Sequence, residues 1–485
     1  MSAKALGPAE LWFVAGSQEM YGEAVLATVA ADAREIAAAL DSADELPVRV
    51  VLREVATSSE AIRRLCLEAN AADDCVGLIL WMHTFSPAKM WIAGLTALRK
   101  PLLHLHTQFH RALPRSEIDM QYMNTHQSAH GDREFAFLQT RMRLARKTVV
   151  GHWRDEATRT RIGRWSRAAC GWREASRLTV ARFGDNMRGV AVTEGDKVEA
   201  ELRLGITVTG FGIGDLADMI SEVPQSDVDL LVADYEQLYD VAPELQRDGD
   251  RRASLIEAAR IEAGLRAFLS AGGYGAFTDT FEDLHAIKQL PGIAVQRLMA
   301  DGYGFGGEGD WKVSALVRIL KVMATGLAGG TSFMEDYTYD LGLGAEKVLG
   351  AHMLEICPSI AAARPSCEIH PLSIGGKDDP VRLVFEAGPG PAVVVSLVDL
   401  GDRFRLVANA VDVIAPPEEL PKLPVARAVW QPRPDFTTAA EAWLVAGGSH
   451  HTVFTAALGL EAITDLAEIA GVELVSIDAG THVHA

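Results

Sequence analysis

Apolar segments of strand length alternate with helical segments through residues 11–184, and this pattern restricts the fold more than any other feature. Helical periodicity is clear in Gly22–Leu40 and Ser58–Ala72. Strands that are apolar on both faces are typical of parallel sheets covered by helices on both sides. The pattern therefore predicts a doubly wound, Rossmann or flavodoxin-like α/β domain over residues 1–176. The candidate strands are Leu11–Ser17, Pro47–Val55, Cys75–Thr84, Pro101–Thr107, Lys147–Trp153 and Arg177–Gly184.

Two further domains are predicted from the rest of the chain. Residues 177–327 form a central α/β domain, and residues 328–485 form a C-terminal domain rich in antiparallel β-structure, because Arg382–Ile414 alternates with period two. The central segments are a strand at Lys197–Phe211, a helix at Ala253–Gly273, a strand at Gly275–Glu282 and a helix at Ile293–Gly302. The last segments are a strand at Ala442–His451 and a helix at Leu460–Ala470.

Composition excludes several classes of protein. A chain of 485 residues with a formal charge of −19 is a poor partner for nucleic acid or an anionic membrane. No apolar run approaches the ~20 residues that a membrane helix needs. The N-terminal residues carry a single lysine and lead directly into a predicted strand, so no signal peptide is expected. Five scattered cysteines without a CxxC pair predict reduced thiols and a cytoplasmic location.

Carboxylate and imidazole groups in glycine-rich and apolar surroundings point to a cation site. Glu308 lies in a glycine-rich loop, Glu335 follows a second glycine cluster, and His352 lies on a short apolar segment. His450 and His451 end another apolar run, and at most one of them is expected to reach a given ion, since adjacent side chains of a strand point opposite ways. Such a mixed oxygen and nitrogen set suits Mn²⁺, Mg²⁺, Fe²⁺ or Co²⁺ better than structural zinc. Solvated loop acids and core histidines are the alternative interpretation.

A nucleotide site is not favoured by the glycines at 302, 304 and 307, although they match GxGxxG. The residues before them have a helical pattern, and no Lys-Ser/Thr pair follows. The first turn after a predicted strand, GSQEMYG, also lacks this motif. His130, in a polar loop before the helix predicted at Asp132–Leu144, is a candidate for hydrogen bonding a polar ligand.

Long, specific strings make the chain resemble the bacterial L-arabinose isomerase family, which is related in fold to L-fucose isomerase. The strings include WFVAGSQEMYG, HTQFHRALP, RFGDNMR, GGTSFMEDYTYD, GAHMLEICPSIA and AGGSHHTVF, and together the matching blocks span residues 11 to 480. The resemblance implies that Glu308, Glu335, His352 and His451 hold one Mn²⁺ ion per subunit, with Co²⁺ or Mg²⁺ as possible substitutes. It also implies that both glutamates move the substrate proton.

The resemblance implies a sugar pocket and an assembly as well. The family is hexameric, with active sites between subunits, so residues from distant parts of the sequence are expected to meet at one site. The residues implied to contact the sugar are Gln18, Met20, Tyr21, Phe85, His130, Met187, Phe281, Met353, Ile374 and His450.

The implied reaction is the isomerisation of L-arabinose to L-ribulose through a cis-enediol, the first step of arabinose catabolism, with D-galactose to D-tagatose as a side activity. Two neighbouring carboxyl groups repel each other, so one can be ionised while the other keeps its proton. A metal-assisted hydride shift is the alternative mechanism. A metal-dependent hydrolase or lyase and a sugar-binding protein without catalysis are the alternative functions.

Overall fold

The computed structural model describes residues 4–342, 344–372, 374–415 and 420–481. The chain forms two compact units, and the boundary between them falls between Arg173 and Glu174. Within the described residues, no helix is long and apolar enough to cross a membrane.

The N-terminal unit contains the predicted parallel sheet. Its strands are β1 (Glu10–Gly16), β2 (Arg49–Leu52), β3 (Cys75–Met82), β4 (Leu102–His106) and β5 (Lys147–Val150). They lie in the order β2-β1-β3-β4-β5, and every pair is parallel. All eight residues of β3 are buried, as expected for a strand covered on both faces.

Six helices belong to this part of the chain. They are α1 (Gly22–Ser42), α2 (Ser59–Ala71), α3 (Ile92–Ala97), α4 (Met120–Thr125), α5 (Ser128–Arg141) and α6 (Glu156–Ala175). The Ser58 hydroxyl accepts a hydrogen bond from Ala61 N and so caps α2. His130 lies within the first turn of α5, so its predicted place in a loop before the helix was wrong. Helix α5 begins earlier than the polar residues HQSAHG suggest.

The second unit begins with a parallel sheet of its own. The strands here are β6 (Thr179–Phe183), β7 (Thr207–Phe211), β8 (Asp240–Val241), β9 (Ala276–Asp279) and β10 (Gly304–Gly306). Four of them form a sheet in the order β10-β9-β6-β7. The helices are α7 (Lys197–Leu204), α8 (Ile213–Ser221), α9 (Gln225–Leu238), α10 (Arg252–Gly272), α11 (Gly292–Ala300) and α12 (Trp311–Met323).

The single strand predicted at Lys197–Phe211 was wrong for its first half, which is α7. Asp196 caps this helix by accepting hydrogen bonds from Val198 N and Glu199 N. Gly205 ends it in the left-handed conformation, and β7 begins two residues later. The alternation of apolar and charged residues in VEAELRL is typical of a strand, and the capping residues on either side decide for a helix.

The C-terminal part of this unit is a closed antiparallel barrel. Its strands and those beside it are β11 (Thr331–Asp340), β12 (Lys347–Ala351), β13 (Ser366–Ile369), β14 (Val381–Val384), β15 (Gly390–Asp399), β16 (Phe404–Ile414), β17 (Arg427–Pro432), β18 (His451–Thr455) and β19 (Glu473–Ile477). Six of them follow the order β15-β18-β11-β12-β17-β16, and pairing between β16 and β15 closes the ring. Strand β19 joins β16 in parallel, and β14, β13 and β8 form a small separate sheet.

Two helices accompany the barrel, α13 (Phe436–Ala446) and α14 (Leu460–Ala470). The second has the predicted bounds. The first overlaps the strand predicted at Ala442–His451, and that prediction was wrong for every residue except His451, where β18 begins. Asp435 caps α13 through Thr438 N, and Gly447 ends it in the left-handed conformation. The apolar run is one-sided, since Ala442 and Ala446 are buried and Leu444 is exposed.

Candidate functional site

Strand register in the barrel brings three of the predicted ligand residues together. Glu335 on β11 pairs with His451 on β18 and, on its other side, with Ala351 on β12. His352 follows Ala351 directly. Residues paired across antiparallel strands have their Cβ atoms about 5 Å apart, so Glu335 lies between the two imidazoles. Phe333, two residues before Glu335, packs edge-on against both rings, with centroid distances of 5.0 Å to His352 and 5.2 Å to His451.

Glu308 reaches the same site from the loop between β10 and α12. Its backbone lies in the left-handed region, with φ of 61°, a conformation that costs a residue other than glycine about 1–3 kcal/mol. Met187 N donates a hydrogen bond to Glu308 O and helps to hold the loop. A Cβ on Gly307 would lie only 3.2 Å from a ring carbon of His352, so glycine at this position lets the loop approach the imidazole. The strained backbone of Glu308 thus directs its carboxylate toward His451 of the barrel.

Each of the two imidazoles is held by a carboxylate at its Nδ1 atom. His352 Nδ1 hydrogen-bonds Glu355, and His451 Nδ1 lies 3.3 Å from Asp310 Oδ2. Asp310 Oδ1 also caps α12 by accepting hydrogen bonds from Lys312 N and Val313 N, and the same oxygen lies 3.0 Å from Lys312 Nζ. Carboxylates behind metal-bound histidines fix the ring orientation and leave Nε2 available as a ligand.

The Nε2 atoms lie close to the two glutamates without hydrogen-bonding them. The separation is 3.8 Å from His352 Nε2 to Glu335 Oε2 and also from His451 Nε2 to Glu308 Oε2. This is too long for a hydrogen bond, and His451 Nε2 is buried without any partner. Donor atoms of Glu308, His352 and His451 all lie within 4.8 Å of one another. Converging carboxylate and imidazole donors around an unpartnered nitrogen fit a divalent cation.

The carboxylates set the electrostatics of the site. Burial opposes a charge on His352, but the carboxylate of Glu355, with further help from Glu335, raises its pKa to about 9. Burial raises the pKa of Glu335, while both imidazoles oppose the rise. Burial and then the neighbouring His451 lower the pKa of His450 to about 4, so this imidazole is neutral at pH 7. The carboxylates of Glu355 and Glu335 thus favour a positive charge beside them, on the imidazole or on a bound cation.

A cavity of about 180 Å³ opens onto these groups. Four of the residues expected to contact the sugar line it, namely Met187, Phe281, Met353 and Ile374. His450 is not among the lining residues, but one of its donor atoms lies within 4.8 Å of donor atoms of Glu335 and His451. The structure therefore brings both members of the His450–His451 pair near a carboxylate, although at most one was expected to reach a given ion.

The other five expected sugar contacts lie in the N-terminal unit. Gln18 Nε2 donates to Phe85 O at 3.1 Å, and the Phe85 ring lies 4.8 Å from that of His130. The Tyr21 hydroxyl accepts a hydrogen bond of 3.4 Å from the side chain of Gln127. Met20 is 79% exposed. Gln18 and Phe85 follow the carboxyl ends of adjacent parallel strands, where ligands of such sheets bind.

The sequence interpretation missed three buried acids at the site in the second unit. Asp310 and Glu355 orient the imidazoles, and Asp279 lines the cavity. Burial and the charge of Glu355 raise the pKa of Asp279 to about 7. Two features of the sequence could have suggested these roles. Asp310 has the position of a helix cap before Trp311, and Glu355 lies three residues after His352. Neither feature distinguishes an orienting residue from an ordinary polar one without the fold.

Comparisons with known proteins agree along the whole chain. Family models described as the N-terminal, central and C-terminal domains of L-arabinose isomerase match residues 5–177, 179–326 and 330–473. An L-arabinose isomerase from a Nocardioides species is 63% identical over 472 residues, which are 97% of this chain and 94% of that protein. The enzyme from Clavibacter sepedonicus is 60% identical over 97% of this chain and 94% of its own.

A third relative gives the same result. The L-arabinose isomerase from Geobacillus stearothermophilus is 58% identical over 478 residues, which are 99% of this chain and 96% of that protein. All three relatives are 58–63% identical over nearly their full length, and all three domain models match. The chain belongs to the L-arabinose isomerase family, whose members are enzymes that interconvert an aldose and a ketose.

Proposed function

We propose that this chain converts L-arabinose to L-ribulose at the site formed by Glu308, Glu335, His352 and His451, as the first step of arabinose catabolism. The observation that carries the proposal is the convergence of the carboxylates of Glu308 and Glu335 with the imidazoles of His352 and His451 beside one cavity in a member of this family. An aldose–ketose isomerisation moves one proton between C1 and C2 of the sugar, and paired carboxylates suit that task.

The four residues would together hold a divalent ion, Mn²⁺ in our proposal, with Co²⁺ or Mg²⁺ as substitutes. The unpartnered, buried Nε2 of His451 and the 3.8 Å gaps between imidazole and carboxylate atoms support this assignment. A bound ion supplies Lewis-acid stabilisation of negative charge that develops on the sugar, an effect of several kcal/mol. Asp310 and Glu355 keep the two imidazoles oriented while that charge develops.

Glu308 and Glu335 would move the proton through a cis-enediol. One carboxylate removes the proton from C2, and the other carboxyl group, still protonated, delivers a proton to C1. Burial of Glu335 favours its neutral form, and mutual repulsion of the two acids favours a state with a single negative charge.

The sugar contacts would be shared between two subunits of a homohexamer. Met187, Phe281, Met353, Ile374 and His450 would come from the subunit that holds the ion. Gln18, Met20, Tyr21, Phe85 and His130 would come from a neighbour. Mixing two inactive variants tests this arrangement. His130→Asn and His451→Asn subunits assembled together should regain part of the activity, because some sites then combine two intact halves. No recovery in mixed hexamers would contradict shared sites.

An assay of ketose formation tests the reaction itself. Chelated protein should form no L-ribulose from L-arabinose, and added Mn²⁺ should restore the activity. D-Galactose should give D-tagatose more slowly. A hydrolase or lyase would form no ketose, and a sugar-binding protein would bind L-arabinose in the presence of Mn²⁺ without turnover.

The route of the proton needs a separate experiment in tritiated water. Incorporation of tritium at C1 supports proton transfer by a carboxylate. Its complete absence, even when turnover is slow, would support a hydride shift instead, because a shielded base returns its own proton only when exchange is slower than turnover.

We further propose a cytoplasmic location. All five cysteines are buried thiols, as expected of a protein from a reducing compartment. Fractionation of the source cells with an antibody against the protein would test this.

A further inference from the structure

A second group of potential metal ligands lies in the N-terminal unit, and none of its residues takes part in the proposed reaction. Asp32 lies on α1, His83 follows the end of β3, and His126 directly follows α4. One donor atom from each of the three residues lies within 4.8 Å of the other two. His83 is fully buried, and its Nε2 is 2.7 Å from Asp32 Oδ2.

His126 is oriented as a metal ligand would be. Its Nδ1 lies 3.1 Å from the carbonyl oxygen of Tyr122, and this contact places the proton on Nδ1. The lone pair is then on Nε2, which is buried and has no hydrogen-bond partner. A backbone carbonyl behind one ring nitrogen and a free second nitrogen are the usual arrangement of a metal-bound histidine. The ring of Tyr122, stacked 4.1 Å away, further fixes the orientation of the imidazole.

We propose that Asp32, His83 and His126 form a second cation site, which takes a divalent transition-metal ion such as Zn²⁺ or Co²⁺. Two imidazole nitrogens and one carboxylate oxygen form a donor set that these ions prefer over Mg²⁺ or Ca²⁺. Ligand atoms about 2.1 Å from a tetrahedral ion lie roughly 3.4 Å apart, so small side-chain rotations suffice from the observed positions. Three protein ligands leave one coordination position for water.

The site would connect the sheet to the segment that carries His130. Gln127, which follows His126, donates its backbone N–H to His83 O at 2.8 Å and its side chain to Tyr21. His130 N in turn donates to Gln127 O. An ion held by His83 and His126 would therefore fix the start of α5 against the end of β3. Its role in this proposal is structural, and it does not replace the ion of the isomerase site.

Metal stoichiometry tests the proposal without any activity assay. The full-length protein is chelated, dialysed against Co²⁺, and analysed for bound metal and for the visible spectrum of Co²⁺. We expect two equivalents per chain in the wild type and one in His451→Asn. We also expect one equivalent in His126→Asn and in Asp32→Asn, and none in the double variant His126→Asn/His451→Asn. His152→Asn, in the same unit but bonded to Phe109 O, is the matched control and should keep both equivalents.

Thermal unfolding separates loss of the ion from loss of the fold. In the presence of chelator, His126→Asn should unfold at nearly the same temperature as the wild type, and Co²⁺ should raise the wild-type Tm by the larger amount. A wild type that binds one equivalent, lost in His451→Asn, would overturn the proposal. Two equivalents retained by both His126→Asn and Asp32→Asn would overturn it equally.

Discussion

Buried histidines bonded to buried aspartates occur in both units, but their surroundings differ. In the N-terminal unit Asp132 serves two imidazoles, with 2.8 Å to His104 Nε2 and 2.6 Å to His106 Nδ1, and it also accepts from Met82 N. In the second unit one carboxylate serves one imidazole, as Asp310 does for His451. His104 and His451 are almost equally buried, at 2% and 1% exposure.

The distances, and not the residue types or their burial, separate the two cases. Around Asp132 every contact has hydrogen-bond length, and no gap remains between donors and acceptor. Around His352 and His451 the Nε2 atoms stand 3.8 Å from Glu335 and Glu308, as ligands of a common ion would. A histidine–carboxylate cluster is thus structural when all its contacts are closed, and it is a candidate site when a buried imidazole nitrogen points at the other donors without a partner, as His451 Nε2 and His126 Nε2 do.

The largest expected effect is on catalysis, from Glu308→Gln and Glu335→Gln. Removing a proton-carrying carboxylate should lower kcat for L-arabinose by about 10³-fold or more, since general acid–base catalysis contributes 10²–10⁴-fold and the metal loses a ligand as well. Glu441→Gln, at an exposed position of α13, is the control and should retain activity. Turnover within tenfold of the wild type in either variant would rule out the proposed role of that glutamate.

The strained backbone at Glu308 predicts a separate effect on the free energy of unfolding. Glu308→Gly removes the left-handed penalty of about 1–3 kcal/mol while it removes the carboxylate. Glycine also gains freedom in the unfolded chain, which offsets part of that gain. The metal-free variant should therefore be inactive but no less stable than the wild type in denaturant unfolding. A large loss of stability would mean that the Glu308 side chain supports the fold rather than the chemistry.

Next in size is the effect of Asp310→Ala on stability. The substitution leaves the buried Lys312 ammonium without its counter-ion and removes the cap of α12, a loss of about 3 kcal/mol or more in the free energy of unfolding. It also frees the His451 ring, so affinity for Mn²⁺ should fall about 10–100-fold. Denaturant unfolding and metal titration measure the two effects. Asp310→Asn/Lys312→Met, which removes both charges together, should recover stability but not metal affinity. Recovery of both would place Asp310 outside the metal site.

Asp132→Asn should destabilise the protein by about 2 kcal/mol, because an amide cannot accept all three hydrogen bonds and leaves buried donors unpaired. The Mn²⁺-dependent rise in Tm should be unchanged, since a closed cluster binds no ion. Thermal scans with and without Mn²⁺ make the measurement. A smaller Mn²⁺-dependent rise in Tm in this variant would show that a cluster with closed contacts also affects metal binding, against our proposal.

More of the fold than of the site could be predicted from the sequence. Helix α14 has the bounds that its periodicity predicts, Leu460–Ala470, because local spacing fixes a helix. The segments at Lys197–Phe211 and Ala442–His451 were misassigned over part of their length, because their local patterns are compatible with a strand and only the capping residues indicate the helices. Closure of the barrel through β15 and β16 depends on pairing between distant strands and has no local signal.

The same limit applies to the ligands. The sequence places Glu335 and His451 in separate segments, and their pairing depends on strand register across more than a hundred residues. The family resemblance, not spacing, selected His451 over His450. The roles of Asp310 and Glu355 could not be predicted from the sequence, because they depend on the positions of the imidazoles that these carboxylates contact. Sequence thus indicates which residue types a site needs, and register decides which of them converge.

The smallest expected effect is a pH dependence of stability at His106. The hydrogen bond with Asp132 raises the pKa of His106, and burial only partly opposes the rise. A folded-state pKa above the unfolded value of about 6.5 means that the interaction contributes fully below pH 6.5 and is lost as pH rises through the folded pKa. The difference in Tm between the wild type and His106→Gln should therefore be greatest near pH 6 and should shrink at alkaline pH. A difference that grows with pH would show that the imidazole is neutral in the fold. The contact between His106 and Asp132 would then be a hydrogen bond from a neutral imidazole and not an ion pair.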